Sequence, residues 1–190
     1  IELQLKEGLQ VIGAHAFAFT ALRSVTLPPS LTELGEKAFC GCGNLAEVLF
    51  NKGLQTIGLG VFHLCSALRS MTMPSTVTEL GSYAFCHCSN LVELQLNEGL
   101  WIIGDCAFEN CSALRSVTIP STVTEFGANA FCGCINLSQV IFLGGKRLLN
   151  QEFVDCGFRQ RREEQGLLYQ EALDDMLFDE TGISHFLVVR

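Results

Sequence analysis

Apolar residues return to the same places in every stretch of about 23 residues. Leucine opens each stretch, at Leu22, Leu45, Leu68, Leu91, Leu114 and Leu137. An apolar residue follows three positions on, at Val25, Val48, Met71, Leu94, Val117 and Val140. Another closes the segment, at Leu27, Phe50, Met73, Leu96, Ile119 and Phe142. Between these the side chains alternate apolar and polar, which predicts a short strand with one face buried. Pro28-Pro29, Pro74 or Pro120 then stops the strand where no ladder donor is forfeited. In the intervening stretches a Glu/Lys-Gly-Leu turn stands there instead, at Gly8, Gly53 and Gly99, so two kinds of coil alternate with a 46-residue period. A second extended piece follows, as in Ser121 to Phe126, with Val123 and Phe126 inward. Gly13, Gly35, Gly58, Gly81, Gly104 and Gly127 mark a corner, where a residue without Cβ is suited to a tight turn. The phrase Ala-Phe comes next, with Cys three residues after the Phe, and Ala130-Phe131-Cys132 reads as a single helical turn.

The Phe positions are Phe17, Phe39, Phe62, Phe85, Phe108 and Phe131, with an echo at Phe153; successive spacings are 22, 23, 23, 23, 23 and 22. Self-similarity at a fixed period of this size means a stacked array in which each unit buries its apolar face only against its neighbours. Such an array is quasi-one-dimensional and presents a long surface, so binding is its default role. Residues 1–142 form the array, 143–158 a degenerate last coil, and 159–190 a charged tail. Within that tail Gly166 to Phe178 reads as an amphipathic helix, with Leu168, Ala172, Leu173, Met176 and Leu177 on one side. It caps the last coil or docks a further domain. Ile1 to Leu9 repeats the phrase Leu94 to Leu100, so the chain starts on a strand inside a coil, with no polar cap before it. That is the expectation for a fragment of a longer protein.

Taken together, these residues resemble the BspA-like class of leucine-rich repeats. That class reads Leu-x-x-Ile-x-Leu-Pro-x-x-Val-x-x-Ile-Gly-x-x-Ala-Phe-x-x-Cys, and Leu91 to Cys111 and Leu114 to Cys134 match it almost position by position. The first coil departs, with Phe19 at the expected cysteine position. The resemblance implies a leucine-rich-repeat solenoid: a right-handed stack of about six 23-residue coils, with short parallel strands, one helical turn per coil and a partly helical C-terminal tail. The class occurs among bacterial surface antigens, protozoan surface proteins and algal families. It therefore implies protein or cell-surface binding and carries no catalytic residues over.

Charge narrows the partners. The chain has a net charge of −8, and residues 1–142 hold 6 basic against 11 acidic residues. Phosphate backbones are bound by Lys and Arg, so the balance argues against nucleic acid and none is expected as a partner. No apolar run reaches the length of a membrane span.

Of ten cysteines, Cys42, Cys65, Cys88, Cys111, Cys134 and Cys156 hold the repeat position. Strands lie about 4.8 Å apart in a sheet, so these thiols should form a column. That spacing falls within the disulfide range of about 4.4–6.8 Å between Cα atoms, although small apolar filler is the simpler reading. The compartment turns on this redox state: cell surface or extracellular with disulfides, cytoplasmic without. Cys40, Cys86 and Cys132 add a Cys-x-Cys in alternate coils, about 10 Å apart on the same spacing, too far to share one ion at zinc–sulfur distances near 2.3 Å. No metal and no cofactor is expected. His15, His63, His87 and His185 fall at different coil positions, and Gly144-Gly145-Lys146 lacks the rest of a phosphate loop. The chain is not expected to be an enzyme.

The candidate partner-binding surface is the row of outward strand residues: Arg23, Ser24, Thr26, Glu47, Leu49, Arg69, Ser70, Thr72, Glu93, Gln95, Arg115, Ser116, Thr118, Gln139 and Ile141. Arginine recurs there every second coil, either as a recognition stripe or as a charge screened by the glutamates of neighbouring coils at about 0–1 kcal/mol per exposed pair. The expected function is a non-catalytic protein–protein interaction module that presents this sheet face. The alternative is a structural or self-associating spacer of a larger surface protein, stacking end to end through an open edge.

Overall fold

A computed structural model describes residues 1–143 together with Cys156 and Gly157. Its described strands are short: β1 Glu2–Gln4, β2 Val11–Ile12, β3 Ser24–Thr26, β4 Glu33–Leu34, β5 Glu47–Leu49, β6 Thr56–Ile57, β7 Ser70–Thr72, β8 Glu79–Leu80, β9 Glu93–Gln95, β10 Ile102–Ile103, β11 Ser116–Ile119, β12 Glu125–Phe126 and β13 Gln139–Phe142. All pairings are parallel and join each strand to its equivalent one coil away, as in Ser116↔Glu93 and Ile102↔Glu125. The even-numbered strands make one continuous six-stranded sheet. The odd-numbered strands make two, β1-β3-β5 and β7-β9-β11-β13. The molecule is thus a parallel β-solenoid of about six coils with the expected 23-residue spacing.

Its core is a column of phenylalanine rings. Phe17, Phe39, Phe62, Phe85, Phe108 and Phe131 stack with centroids 5.2–5.6 Å apart and interplanar angles of 4–17°. The five from Phe39 to Phe131 are fully buried. The leucines that open the strands, the residues after them and the second-sheet positions Ile12, Leu34, Ile57, Leu80, Ile103 and Phe126 close around this column.

The corner after each glycine is not helical. Residues 82–87 form linked turns in which alternate amides take different partners. Tyr83, Phe85 and His87 donate to Asp105, Ala107 and Glu109 of the next coil at 2.7–2.8 Å. Ala84, Cys86 and Cys88 donate locally to the carbonyl three residues back. An α-helix needs every amide for its own i−4 carbonyl; here half of them are committed to the neighbouring coil. The kinks this requires fall two residues either side of each Phe, where φ is positive: Lys37 and Gly41, Tyr83 and His87, Cys106 and Asn110, Asn129 and Gly133.

The repeated corner glycines serve a different purpose from the one expected. Gly81, Gly104 and Gly127 do not adopt positive φ; an added Cβ would instead lie 2.6, 2.5 and 2.1 Å from backbone of the preceding coil. Gly13, with no described coil beneath it, has nothing within 4 Å. Close approach of coils selects these glycines.

The cysteine column is more than filler. Cys42, Cys65, Cys88, Cys111 and Cys134 each donate S–H to the carbonyl of the Phe one coil back, at 3.0–3.2 Å. The described cysteines are free thiols. In the first coil it is Thr20, not Phe19, that holds this column: its Oγ1 donates to Phe17 O at 2.8 Å and lies 3.3 Å from Cys42 Sγ. A one-residue deletion before Leu22 shifts the local count, and Phe19 lies exposed over Gly41.

Two chemistries alternate between coils. Asn51 and Asn97 donate side-chain N–H to Pro28 O and Met73 O of the coil before. Ser30, Thr76 and Thr122 donate to Leu9, Leu54 and Leu100 carbonyls at 2.6–2.9 Å. This is the physical content of the 46-residue period. The degenerate coil over 143–158, apart from Leu143, Cys156 and Gly157, and the helical tail over 159–190 lie outside the described residues.

Candidate functional site

Strand alternation sends one residue in two to the outer face, and parallel registry lines these up across coils. Ser24 sits beside Glu47, and Thr26 beside Leu49. Ser70, Glu93, Ser116 and Gln139 form one row, and Thr72, Gln95, Thr118 and Ile141 the row next to it. The rows are exposed or half-exposed while Val25, Met71, Leu94, Val117 and Val140 between them are buried. The strand residues expected at this surface therefore share one face, but the face is in two blocks, because β5 and β7 do not pair.

Arg23, Arg69 and Arg115 lie along one edge and are exposed. Their main-chain carbonyls accept two amides each from the next coil, as Arg115 O does from Ser138 and Gln139 at 2.9 and 3.2 Å. Among the described residues the only ion pair is Lys37–Glu36 at 3.0 Å, away from this face. The arginines are not closed off by the neighbouring glutamates.

A cleft of about 510 Å³ opens at the step between the two blocks. Glu47, Leu49, Ser70 and Thr72 line it together with Phe50, Asn51, Lys52, Met73, Pro74 and Asn97. The second group was not anticipated as part of the surface. Its signal was nonetheless present: Asn51 and Asn97 take the place of proline in alternate coils, and Phe50 is an aromatic ring where Leu27, Met73, Leu96 and Ile119 stand in other coils. The Asn51 side chain is buried and fully engaged, accepting from the amides of Gly53 and Leu54, the latter at 3.0 Å.

The remaining titratable groups lie on the linked turns. Cys86 Sγ is 3.6 Å from Glu109 Oε2. Burial, and then the Glu109 carboxylate, push its thiol up to about 12. Burial and a hydrogen bond to the same carboxylate push Cys106 up to about 11. Burial holds the Cys65, Cys88, Cys111 and Cys134 thiols far above the usual range. Raised values keep a thiol protonated and unreactive. His63 and His87 meet edge to face at 5.8 Å; burial, then the His87 charge, lowers the His63 pKa. His15 does not join them. Among the described residues, no three His, Cys, Asp or Glu side chains converge as a metal set. No helix of the described residues is long and apolar enough to cross a membrane.

Stacked parallel strands, a phenylalanine column and in-register outer rows define a leucine-rich-repeat solenoid. The chain belongs to the BspA type leucine rich repeat family, whose profile matches six copies over residues 1–99 and 61–159. It is similar to a leucine-rich repeat protein from Bacteroides ovatus, with a TM-score of 0.66 and 26% identity over 78% of this chain and 37% of that one. It is similar to a leucine rich cell surface protein from Faecalibacterium prausnitzii, with a TM-score of 0.66 and 27% identity over 79% and 41%. It is also similar to the pneumococcal vaccine antigen PcpA, with a TM-score of 0.66 and 25% identity over 70% and 36%. The chain thus spans about two fifths of the length of the first relatives it matches. Among curated proteins none matches it.

Proposed function

We propose that this array is a non-catalytic protein-interaction module whose recognition surface is the outer face of β3, β5, β7, β9, β11 and β13. The observation that carries this reading is the registry itself. Side chains at equivalent positions of successive coils form two parallel rows, with the arginine edge unpaired by carboxylates beside them. Mixed polar, aliphatic and arginine groups on a rigid support are what a protein interface uses. Two of the similar structures are a cell surface protein and a vaccine antigen, which supports recognition over metabolic chemistry.

Site-specific photo-crosslinking in the native source tests this. A crosslinking residue placed singly at Thr72, Gln95 and Thr118 is expected to capture one common protein, whereas Glu33, Glu79 and Glu125 on the second sheet do not. Equal capture from both sheets, or no common partner from the three face positions, refutes the reading.

A further inference from the structure

At one step of the array two strand edges face each other without pairing. Glu47–Leu49 is paired only with β3, and Ser70–Thr72 only with β9. No backbone hydrogen bond joins residues 45–52 to 67–75. The array is otherwise intact across this step. Thr56 pairs with Glu79, Phe62 N donates to Ala84 O at 2.8 Å, and Phe62 stacks on Phe85 at 5.2 Å. The opening is therefore confined to the recognition face.

Phe50 closes β5 at this step. The rings of Phe39, Phe62 and Phe85 lie flat in their coils, stacked along the axis of the array. Phe50 meets Phe62 at 87° and 6.0 Å, so its ring stands upright along that axis. An upright ring is taller than the rise of about 4.8 Å between paired strands. The other closing positions with a described strand after them hold leucine, methionine or isoleucine, and none is followed by a break.

We propose that this cleft is a docking slot for an extended segment of a partner protein, which adds as a parallel strand to the open edges of β5 and β7. This rests on the interaction-module reading and locates its anchor. Unpaired N–H and C=O rows are a template for another strand, and they are a chemistry that an extended peptide satisfies and a folded surface does not. The volume lies in the range of about 300–1,000 Å³ that holds small ligands, enough for a few residues. Phe50 and Met73 offer an apolar lining. Glu47 at the start of β5 and Lys52 beyond its end select a segment with a basic residue first and an acidic residue last, which fixes the parallel direction.

The probe is a capped peptide with the sequence of Leu114 to Pro120. This segment already pairs in parallel on both sides, with β9 and with β13, and carries Arg115 at its leading end. It is titrated against the whole unaltered chain by fluorescence anisotropy, with amide exchange as the site readout. The expected result is saturable binding that slows exchange at 47–50 and 70–73. Successive residues of a strand address opposite neighbours. N-methylation of the peptide at the Val117 or the Thr118 position should therefore each weaken binding by about tenfold, the value of a lost hydrogen bond. A peptide of reversed sequence should bind more weakly. The proposal is overturned by the absence of saturable binding up to about 1 mM, or by binding indifferent to both N-methyl groups. Face crosslinking with no peptide binding sinks the slot and leaves the interaction-module reading standing. Peptide binding with no common face-captured partner does the reverse.

Discussion

Replacing Phe85 with leucine tests whether the ring column, rather than apolar volume alone, holds the coils together. Phe85 is fully buried between Phe62 at 5.2 Å and Phe108 at 5.4 Å, near parallel to both. Leucine keeps an aliphatic side chain of somewhat smaller volume and removes two ring pairs, each worth about 0.5–1.5 kcal/mol beyond area burial. The expected loss is about 1–3 kcal/mol. Phe17 is only half-buried and stacks on one ring, Phe39, at 5.2 Å. Phe17→Leu should therefore lose about half as much. Urea denaturation followed by circular dichroism measures both, and a Phe62→Leu/Phe85→Leu double cycle isolates the pair energy. Equal losses at Phe17 and Phe85, or no coupling between Phe62 and Phe85, would refute the argument and reduce the column to generic core.

Other consequences follow from single contacts. Gly127→Ala places a Cβ 2.1 Å from Asp105 N, so it should lower stability by about 1–3 kcal/mol, the usual range for overpacking, while Gly13→Ala, with open space around it, leaves the melting temperature within error. Phe50→Leu should let β5 and β7 pair, read as slower amide exchange at Ser70–Thr72; unchanged exchange there would remove the upright ring as the cause of the break. The Glu98 carboxylate is held below its ordinary pKa first by the Ser121 amide, at 3.0 Å, and then by further hydrogen bonds from Ser121 and Thr122. Its contribution is thus present above the unfolded carboxylate pKa and lost as pH falls through the lower folded value. Glu98→Gln should differ from the parent in denaturation midpoint at neutral pH and converge with it in acid; a gap independent of pH would contradict this. In the native protein, alkylation should reach half-exposed Cys132 before the buried Cys88 and Cys111, which mass spectrometry of quenched samples resolves.

Much of this architecture was legible because each coil repeats the same demand. Period, core column, strands and the two outer rows all follow from apolar alternation at Leu114–Ile119 and its equivalents. What stayed hidden depends on partners one coil away. The corner around Phe131 looks helical locally, yet the alternate amides of such corners belong to the next coil, which no window of sequence displays. Gly104 looks like a bend and is a point of contact. Cys111 looks like filler and is a donor. The break lies beside Phe50, whose ring stands upright against a spacing set by every other coil; the residue was visible in the sequence and its orientation was not. At Thr20 a single deletion displaced the count and put Phe19 in the wrong column.

The alternation of bridging groups sets the quantum in which such a protein changes length. A coil with Asn51 or Asn97 reaches back to one with proline, and a coil with Ser30, Thr76 or Thr122 reaches back to one with glycine-leucine. Excising one coil would seat like upon like at the new junction and give the donors there a neighbour of the other kind. Excising two in succession, 46 residues, rejoins every donor to an acceptor of the kind it had. Gene duplication and loss in this lineage should therefore proceed by even steps, and an engineered array should be shortened or extended two coils at a time.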